Sequence, residues 1–180
     1  MINLLILSGS DDRKLTPFIV IGAVLPDVGM FIFYLWQLTL GTGESTIWSV
    51  EYHRAGWQAI FDLSHSIPLA LFGMLIGWKT NRPWLLVFFI SILLHTLGDL
   101  PLHQEDAHRH FFPLSDWRFF IPVSYWNPDY YGNWVSLLEC LAVIASAIYL
   151  YFKQPSLKFW IGGIGSTYLV YWVYVLIVWV

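Results

Sequence analysis

The sequence predicts an all-α integral membrane protein, a bundle of about five transmembrane helices with a long ordered loop on its outer side. Two observations predict this class. The chain of 180 residues is 57% hydrophobic and only 12% charged, about half the charged fraction of an ordinary soluble domain. Its eleven Trp and ten Tyr suit a membrane protein, because amphipathic aromatic rings favour the interface between water and lipid.

Composition also limits the organisation and the partners. The length allows one domain, 1–180, and no internal repeat divides it. The formal net charge of −3 and the lack of a long basic run exclude nucleic acid as a partner. The single cysteine, Cys140, cannot form an intrachain disulfide, which leaves the redox compartment open. The apolar run over 1–8 has no basic residue before it and makes a poor signal peptide.

Five apolar stretches are long enough, or nearly so, to cross a hydrocarbon core of about 30 Å. They cover residues 17–40, 63–78, 83–100, 134–152 and 158–180. The second stretch is short and begins with polar residues, so local thinning of the bilayer is expected there. The long segment 101–133 mixes His, Asp, Arg, Pro and aromatic residues, unlike a disordered linker. We expect it to form an ordered cap over one mouth of the bundle.

Basic residues near the ends of the predicted spans indicate the orientation. With five spans, six Lys and Arg residues fall on the side of the N-terminus and three on the other side. The excess of basic residues on cytoplasmic loops then predicts a cytoplasmic N-terminus. The loops 41–62 and 101–133, with most of the acids and histidines, would face outward together with the C-terminus.

Ionisable side chains interrupt four of the five spans. A charge at the centre of a membrane helix costs roughly 2.5–3.5 kcal/mol on insertion scales, so each one needs a partner or a wet cavity. With a rise of about 1.5 Å per residue, five such groups fall in one layer between the midplane and the outer leaflet. They are Asp27, His65, His95, Asp99 and Glu139. We expect the bundle to bring these groups together.

The spacing of His95 and Asp99, four residues apart, places both on one face of a helix. Such a pair can bind one divalent metal, or the carboxylate can orient the imidazole. Structural roles remain open for the others, namely helix capping for Asp27 and His65 and contact with the outer interface for Glu139.

A second concentration of imidazoles and carboxylates begins where the third span ends. Three histidines and three acids lie within the twelve residues 99–110, more than a solvated loop needs. The alternative is a polar loop at the membrane interface. Those that follow the span are His103, Glu105, Asp106, His108 and His110.

Short motifs in a fixed order resemble those of bacterial membrane-bound metal-dependent hydrolases of the YdjM and YbcI type. The motifs are Leu25-Pro26-Asp27, Ser64-His65-Ser66 and Leu94-His95-Thr96-Leu97-Gly98-Asp99. The run 106–119 is similar to that of a poorly characterised subgroup, and the resemblance covers roughly residues 15–132. An early histidine of the family has no counterpart here, so either the true start lies upstream of Met1 or this chain lacks a ligand. The family's compact second element is stretched, so His53 is not carried over.

The resemblance implies a divalent metal bound by Asp27, His65, His95 and Asp99, and hydrolytic activity in the bacterial inner membrane. Zinc is the expected metal for such ligands, and manganese or iron suits the same set. The expected substrate is a lipid-linked or amphipathic ester or phosphoester, and membrane lipid is the expected partner. The candidates for catalysis are Glu139, Glu105, Asp106, His103 and His110. Arg109 or Arg118 is a candidate for binding an anionic group.

Two other classes of function remain open. The first is a transport protein for metal or other ions, in which acids and histidines inside the membrane mark the path. Apart from Lys158 at the first position of the fifth span, the cytoplasmic halves of the predicted spans contain no Asp, Glu, His, Lys or Arg, which argues against such a path. The second is a non-enzymatic scaffold whose metal site braces the helices.

Overall fold

The chain is almost entirely helical in a computed structural model that describes residues 1–9, 13–104, 106–125 and 127–178. No strand occurs in these residues, which confirms the all-α class. Three-residue 3-10 turns and one π-helical turn, Ile47–Glu51, join the α-helices. The α-helices are α1 Ile2–Leu7, α2 Thr16–Thr39, α3 Glu44–Thr46, α4 Ala55–Ser64, α5 Ile67–Lys79, α6 Pro83–Asp99, α7 Gly132–Lys153 and α8 Lys158–Val178.

Four helical stretches of the described chain are long and apolar enough to cross a membrane. Their mean hydropathy lies between 1.6 and 2.1, as expected of a membrane protein. The predicted fifth span, 158–180, falls on α8, and a count of five stays a prediction. The four stretches are Thr16–Thr39, Ala55–Lys79, Pro83–Leu102 and Gly132–Lys153.

The helical stretch that contains the predicted second span, 63–78, starts earlier, at Ala55. It does so because α4 and α5 follow one another with only a short break at His65 and Ser66. Polar residues around the break lower the local hydropathy, so the apolar run in the sequence starts late. The Ser66 side chain accepts a hydrogen bond of 3.2 Å from the Leu69 N–H and caps α5. Much of the predicted loop 41–62 is therefore helical.

Helices α2 and α6 pack closely because Gly22 lies at their contact. A Cβ added to Gly22 would lie 2.5 Å from the Phe88 carbonyl oxygen and 2.9 Å from the Ser91 Cβ. The Ser91 hydroxyl also donates a hydrogen bond of 2.6 Å to the Ile19 carbonyl. The absence of a side chain at Gly22 thus fixes the register between the two helices.

Replacing Gly22 with Ala is expected to destabilise the protein by about 1–3 kcal/mol, the usual cost of overpacking a tight contact. The obstacle is backbone, which cannot move aside as a flexible side chain can. Thermal unfolding in detergent, followed by circular dichroism, measures the effect. The control is Gly163→Ala on α8, where an added Cβ meets nothing within 4 Å. Equal unfolding temperatures of the two variants would contradict the packing described for Gly22.

The short helix α1 fills a wedge between the first and fourth spans. Leu4 of α1 is buried against Ile19 of α2 and Leu150 of α7. The Asn3 amide donates to the Ser91 hydroxyl and carbonyl, each at 2.8 Å. These contacts attach α7 to the pair of α2 and α6, one helical turn along α6 before His95.

Within the predicted cap 101–133, the segment 103–127 contains no helix in its described residues but is tied to the bundle by hydrogen bonds. From here on, the cap means this segment, 103–127. The Ile67 N–H donates 2.8 Å to the His110 carbonyl, and the Ser66 hydroxyl donates to the Phe112 carbonyl. The Tyr125 N–H donates 3.0 Å to the Leu102 carbonyl. The cap thus lies over the break in the second span. Its position on the outer side of a membrane stays a prediction.

Candidate metal centre

The register of α2 against α6 sets the level of the candidate ligands. Ser91 bonds to the Ile19 carbonyl, and one helical turn later the Nδ1 atom of His95 lies 2.9 Å from the Ala23 carbonyl oxygen. The next turn along both helices leads to Asp27 and Asp99. Two carboxylates therefore lie at the same level of two neighbouring membrane helices.

The break between α4 and α5 brings His65 to this level. The Ser64 hydroxyl lies 2.9 Å from the Pro26 carbonyl oxygen and ties the end of α4 to α2 beside Asp27. The Nε2 atom of His65 lies 3.8 Å from Asp27 Oδ1 and 3.8 Å from Asp99 Oδ2. The Nε2 atom of His95 lies 3.5 Å from Asp27 Oδ1. The structure thus brings together four of the five groups that the sequence places in one layer.

The hydrogen bonds of the two imidazoles determine which nitrogen of each is free. Nδ1 of His65 lies 2.9 Å from the Phe61 carbonyl oxygen, as Nδ1 of His95 does from that of Ala23. A carbonyl oxygen only accepts hydrogen bonds, so Nδ1 carries the proton in both rings. Each Nε2 faces Asp27 and, where it carries no proton, presents a lone pair to it. An imidazole that donates one N–H to a carbonyl and turns its other nitrogen inward is arranged as metal-binding histidines usually are.

The distances around Asp27 fit a metal better than hydrogen bonds. Separations of 3.5 and 3.8 Å exceed the usual hydrogen-bond length of about 2.7–3.2 Å. Ligand bonds of about 2.0–2.2 Å in a tetrahedral site put ligand atoms about 3.3–3.6 Å apart. The Nε2 atom of His95 is buried and has no hydrogen-bond partner among the described residues. Lone pairs on these atoms would repel one another unless a metal ion or a proton lay between them, and the separations are long for a shared proton.

Candidate ligand atoms within 4.8 Å of one another form two groups among the described residues. The first contains Asp27, His65 and His95, and the second contains His65, Asp99 and His108. The sequence predicts that Asp99 shares one ion with Asp27, His65 and His95. In the structure, Asp99 belongs instead to the group that contains His65 and His108 of the cap. The ring of His108 stacks on His65 with 4.2 Å between centroids and 16° between planes.

His103 bridges two carboxylates. Its Nε2 lies 2.7 Å from Asp99 Oδ1, and its Nδ1 lies 2.9 Å from Asp106 Oδ1. Burial lowers the pKa of His103, but the hydrogen bonds to Asp106 and Asp99 outweigh it and raise the pKa to about 10. His103 is therefore a cation at neutral pH that donates a hydrogen bond to Asp99 and forms an ion pair with Asp106. It orients Asp99 and leaves Asp99 Oδ2 without a hydrogen-bond partner.

Two histidines of the cap are buried next to this group. Burial lowers the pKa of His108 far below its usual value and that of His110 to about 4, so both are neutral at pH 7. His110 is 0% exposed, and neither of its ring nitrogens has a hydrogen-bond partner in the described part of the chain. Nδ1 of His108 also lacks a hydrogen-bond partner and lies 3.9 Å from Asp62 Oδ1.

Asp62, which the sequence analysis missed, anchors the cap. Its side chain is 0% exposed and accepts bonds of 2.8 Å from the Arg109 backbone N–H and 2.6 Å from Arg109 Nε. Arg118 lies 3.9 Å from the same carboxylate and donates to the Ala107 carbonyl. The two arginines thus hold the cap on α4, and they already have anionic or carbonyl partners within the protein. Gln58, Phe61 and Asp62 are buried on α4, but two of the three are polar, so no apolar periodicity in the sequence marks Asp62 as buried.

The remaining residues considered in the sequence are Glu139, Glu105 and His53. Glu139 has an exposed side chain on α7 and accepts a bond of 2.9 Å from the Tyr168 hydroxyl of α8, and it belongs to neither group of ligand atoms found in the described chain. Glu105 lies outside the described residues. His53 is exposed beside Tyr52. The comparisons with protein families, with curated proteins and with solved structures each found no match to the chain.

Proposed function

We propose that this protein is a membrane-embedded metal-dependent hydrolase that acts on a lipid-linked ester or phosphoester. One observation carries the proposal. His65 and His95 both donate Nδ1–H to a backbone carbonyl and turn Nε2 toward the same oxygen of Asp27. Separations of 3.8 and 3.5 Å from Asp27 Oδ1 are longer than hydrogen bonds, so a bound cation accounts for this arrangement better than helix pairing by hydrogen bonds does.

The donor set of the first group suits a catalytic rather than a closed structural site. Two imidazole nitrogens and one carboxylate oxygen leave a coordination position open, as catalytic zinc sites do. A divalent ion bound there supplies a nucleophile at neutral pH and polarises an oxygen of the bond to be cut. Zinc is the metal we expect, and manganese or iron suits the same ligands.

Access to the centre favours an amphipathic substrate. The Asp27 side chain is 36% exposed, whereas that of His65 is 3% exposed. Asp27 lies near the middle of α2, and the neighbouring Val24, Leu25 and Phe31 expose large apolar side chains. A lipid can therefore approach sideways with its chains along α2 and its polar group at Asp27. His110, with two free ring nitrogens, is the cap residue best suited to hydrogen-bond that polar group.

We propose that the protein lies in a bacterial inner membrane, with its N-terminus in the cytoplasm. Six of the nine Lys and Arg residues fall on the side of the N-terminus if α8 forms a fifth span. The centre then lies toward the outer leaflet, where periplasmic water is within reach.

Hydrolysis by the purified protein tests the proposed function. Wild type in lipid nanodiscs, loaded with Zn²⁺, is assayed against phosphatidic acid, a polyprenyl diphosphate and a diacylglycerol ester. His95→Ala is expected to lower turnover by at least about 100-fold, since losing only an outer-shell partner costs about 10–100-fold. His53→Ala, at the exposed histidine, is the matched control. A folded, metal-loaded wild type that cleaves none of the panel, or a fully active His95→Ala, would favour a scaffold instead.

A further inference from the structure

The second group of ligand atoms is not explained by one ion bound to Asp27, His65 and His95. Asp99 and His108 belong to this second group together with His65. Nδ1 of His65 is already bonded to the Phe61 carbonyl, so His65 has one nitrogen for one ion. An ion in the first group therefore leaves Asp99 and His108 without a cation of their own.

The free atoms of the second group are buried. His108 is 3% exposed, and its Nδ1 has no hydrogen-bond partner in the described part of the chain. Oδ2 of Asp99 has none there either, because His103 binds the other oxygen. Leaving buried polar groups without partners is destabilising, and more so where the group is charged. A bound cation is the ligand that satisfies a carboxylate oxygen and a neutral imidazole together.

The two groups share His65, and each group contains one carboxylate. Asp27 Oδ1 and Asp99 Oδ2 are each 3.8 Å from His65 Nε2. Binding of the second ion by a histidine of the cap, rather than of the bundle, also explains why Asp62 fixes the residue next to His108 so firmly.

We propose that the centre binds a second divalent cation between Asp99 and His108, beside the ion bound by Asp27, His65 and His95. Asp99 and His108 supply the protein ligands of this second ion, and its other positions are open to water and substrate. The inference rests on the proposed function, because it adds an ion to the same site.

The charge of a two-ion site selects the class of substrate. Two divalent ions bring four positive charges, whereas Asp27 and Asp99 bring two negative ones. The carboxylate of Asp106, which lies 2.9 Å from His103, adds one more negative charge, and the count stays positive. The positive excess in a buried site favours an anionic phosphoester over a neutral carboxylic ester. The dinuclear site is therefore expected to act on lipid phosphoesters.

Metal stoichiometry separates this inference from the proposed function. Wild type is saturated with Zn²⁺, freed of unbound ion by gel filtration and analysed by inductively coupled plasma mass spectrometry. Two equivalents are expected for wild type and for His53→Ala, and one for His108→Ala. One equivalent in both wild type and His108→Ala overturns the second ion and leaves the proposed function standing. No metal in a folded wild type overturns both.

Two further measurements keep the inference testable if His108→Ala does not fold. Wild type loaded with Mn²⁺ is expected to show the electron paramagnetic resonance spectrum of a spin-coupled pair, and a spectrum of isolated ions overturns the inference. Inorganic phosphate is the probe for the anionic substrate. Zn²⁺-loaded wild type is expected to bind it at least tenfold more tightly than His108→Gln, by isothermal titration calorimetry. Equal affinities would overturn the assignment of phosphoesters.

Discussion

Replacing Asp62 with Asn is expected to detach the cap and to destabilise the protein by about 3–5 kcal/mol, the usual cost of removing one partner of a buried ion pair. Asp62 is fully buried and binds both the backbone N–H and the guanidinium of Arg109. An amide keeps the shape of the side chain but loses the charge that compensates Arg109. Thermal unfolding in detergent measures the stability, and limited proteolysis within 103–127 measures release of the cap.

Asp116 provides a matched control on the same guanidinium. It also lies 2.6 Å from Arg109, but its side chain is 87% exposed. Exposed ion pairs contribute about 0–1 kcal/mol, so Asp116→Asn is expected to unfold and to be cleaved almost as wild type is. If the two variants lose stability equally, burial of Asp62 is not what anchors the cap.

The membrane helices and most of the centre could be predicted from the sequence because the bilayer imposes simple constraints. Uncharged apolar runs of about 20 residues have few alternatives to a membrane helix. An acid or histidine inside such a run is costly, so it marks a place where helices meet. Asp27, His65, His95 and Asp99 were found by this argument, and their side chains do meet in the structure.

Glu139 shows that the depth of a residue along a helix does not determine which way its side chain points. Counting the rise per residue gives the level of a side chain along the helix axis, but not the direction in which it points. Glu139 was expected at the same level as the cluster, yet it bonds to Tyr168 of α8. The rotation of α7 about its axis depends on packing against α1 and α8, which hydropathy does not encode.

The role of Asp62 and the grouping of Asp99 depend on the cap. Asp62 precedes the apolar run 63–78, so the sequence predicts that it lies in a loop. Its burial follows from the continuation of α4 into α5 and from Arg109, which lies 47 residues further along the chain. Likewise, Asp99 groups with His108 only because the cap folds back over the break at His65. Neither contact leaves a local periodic pattern.

Replacing His65 with Ala is expected to have the largest effect on metal binding, because His65 is the one residue shared by both groups of ligand atoms in the described chain. Its Nε2 faces Asp27 on one side and Asp99 on the other. Loss of an outer-shell partner costs about 10–100-fold in metal affinity, so loss of this direct ligand is expected to cost more. The change also removes the stacked partner of His108.

Metal content of the detergent-purified protein, by inductively coupled plasma mass spectrometry, tests the central claim that the cluster around His65 is a metal centre. We expect at least one equivalent of a transition metal in wild type and in the exposed-histidine control His53→Ala. In His65→Ala the content is expected to fall below about one tenth of the wild-type value, in line with the affinity loss above. Helical circular dichroism unchanged among the three proteins would exclude unfolding as the cause. A folded wild type that holds no metal even after reconstitution, or a His65→Ala variant that retains it fully, would contradict the account.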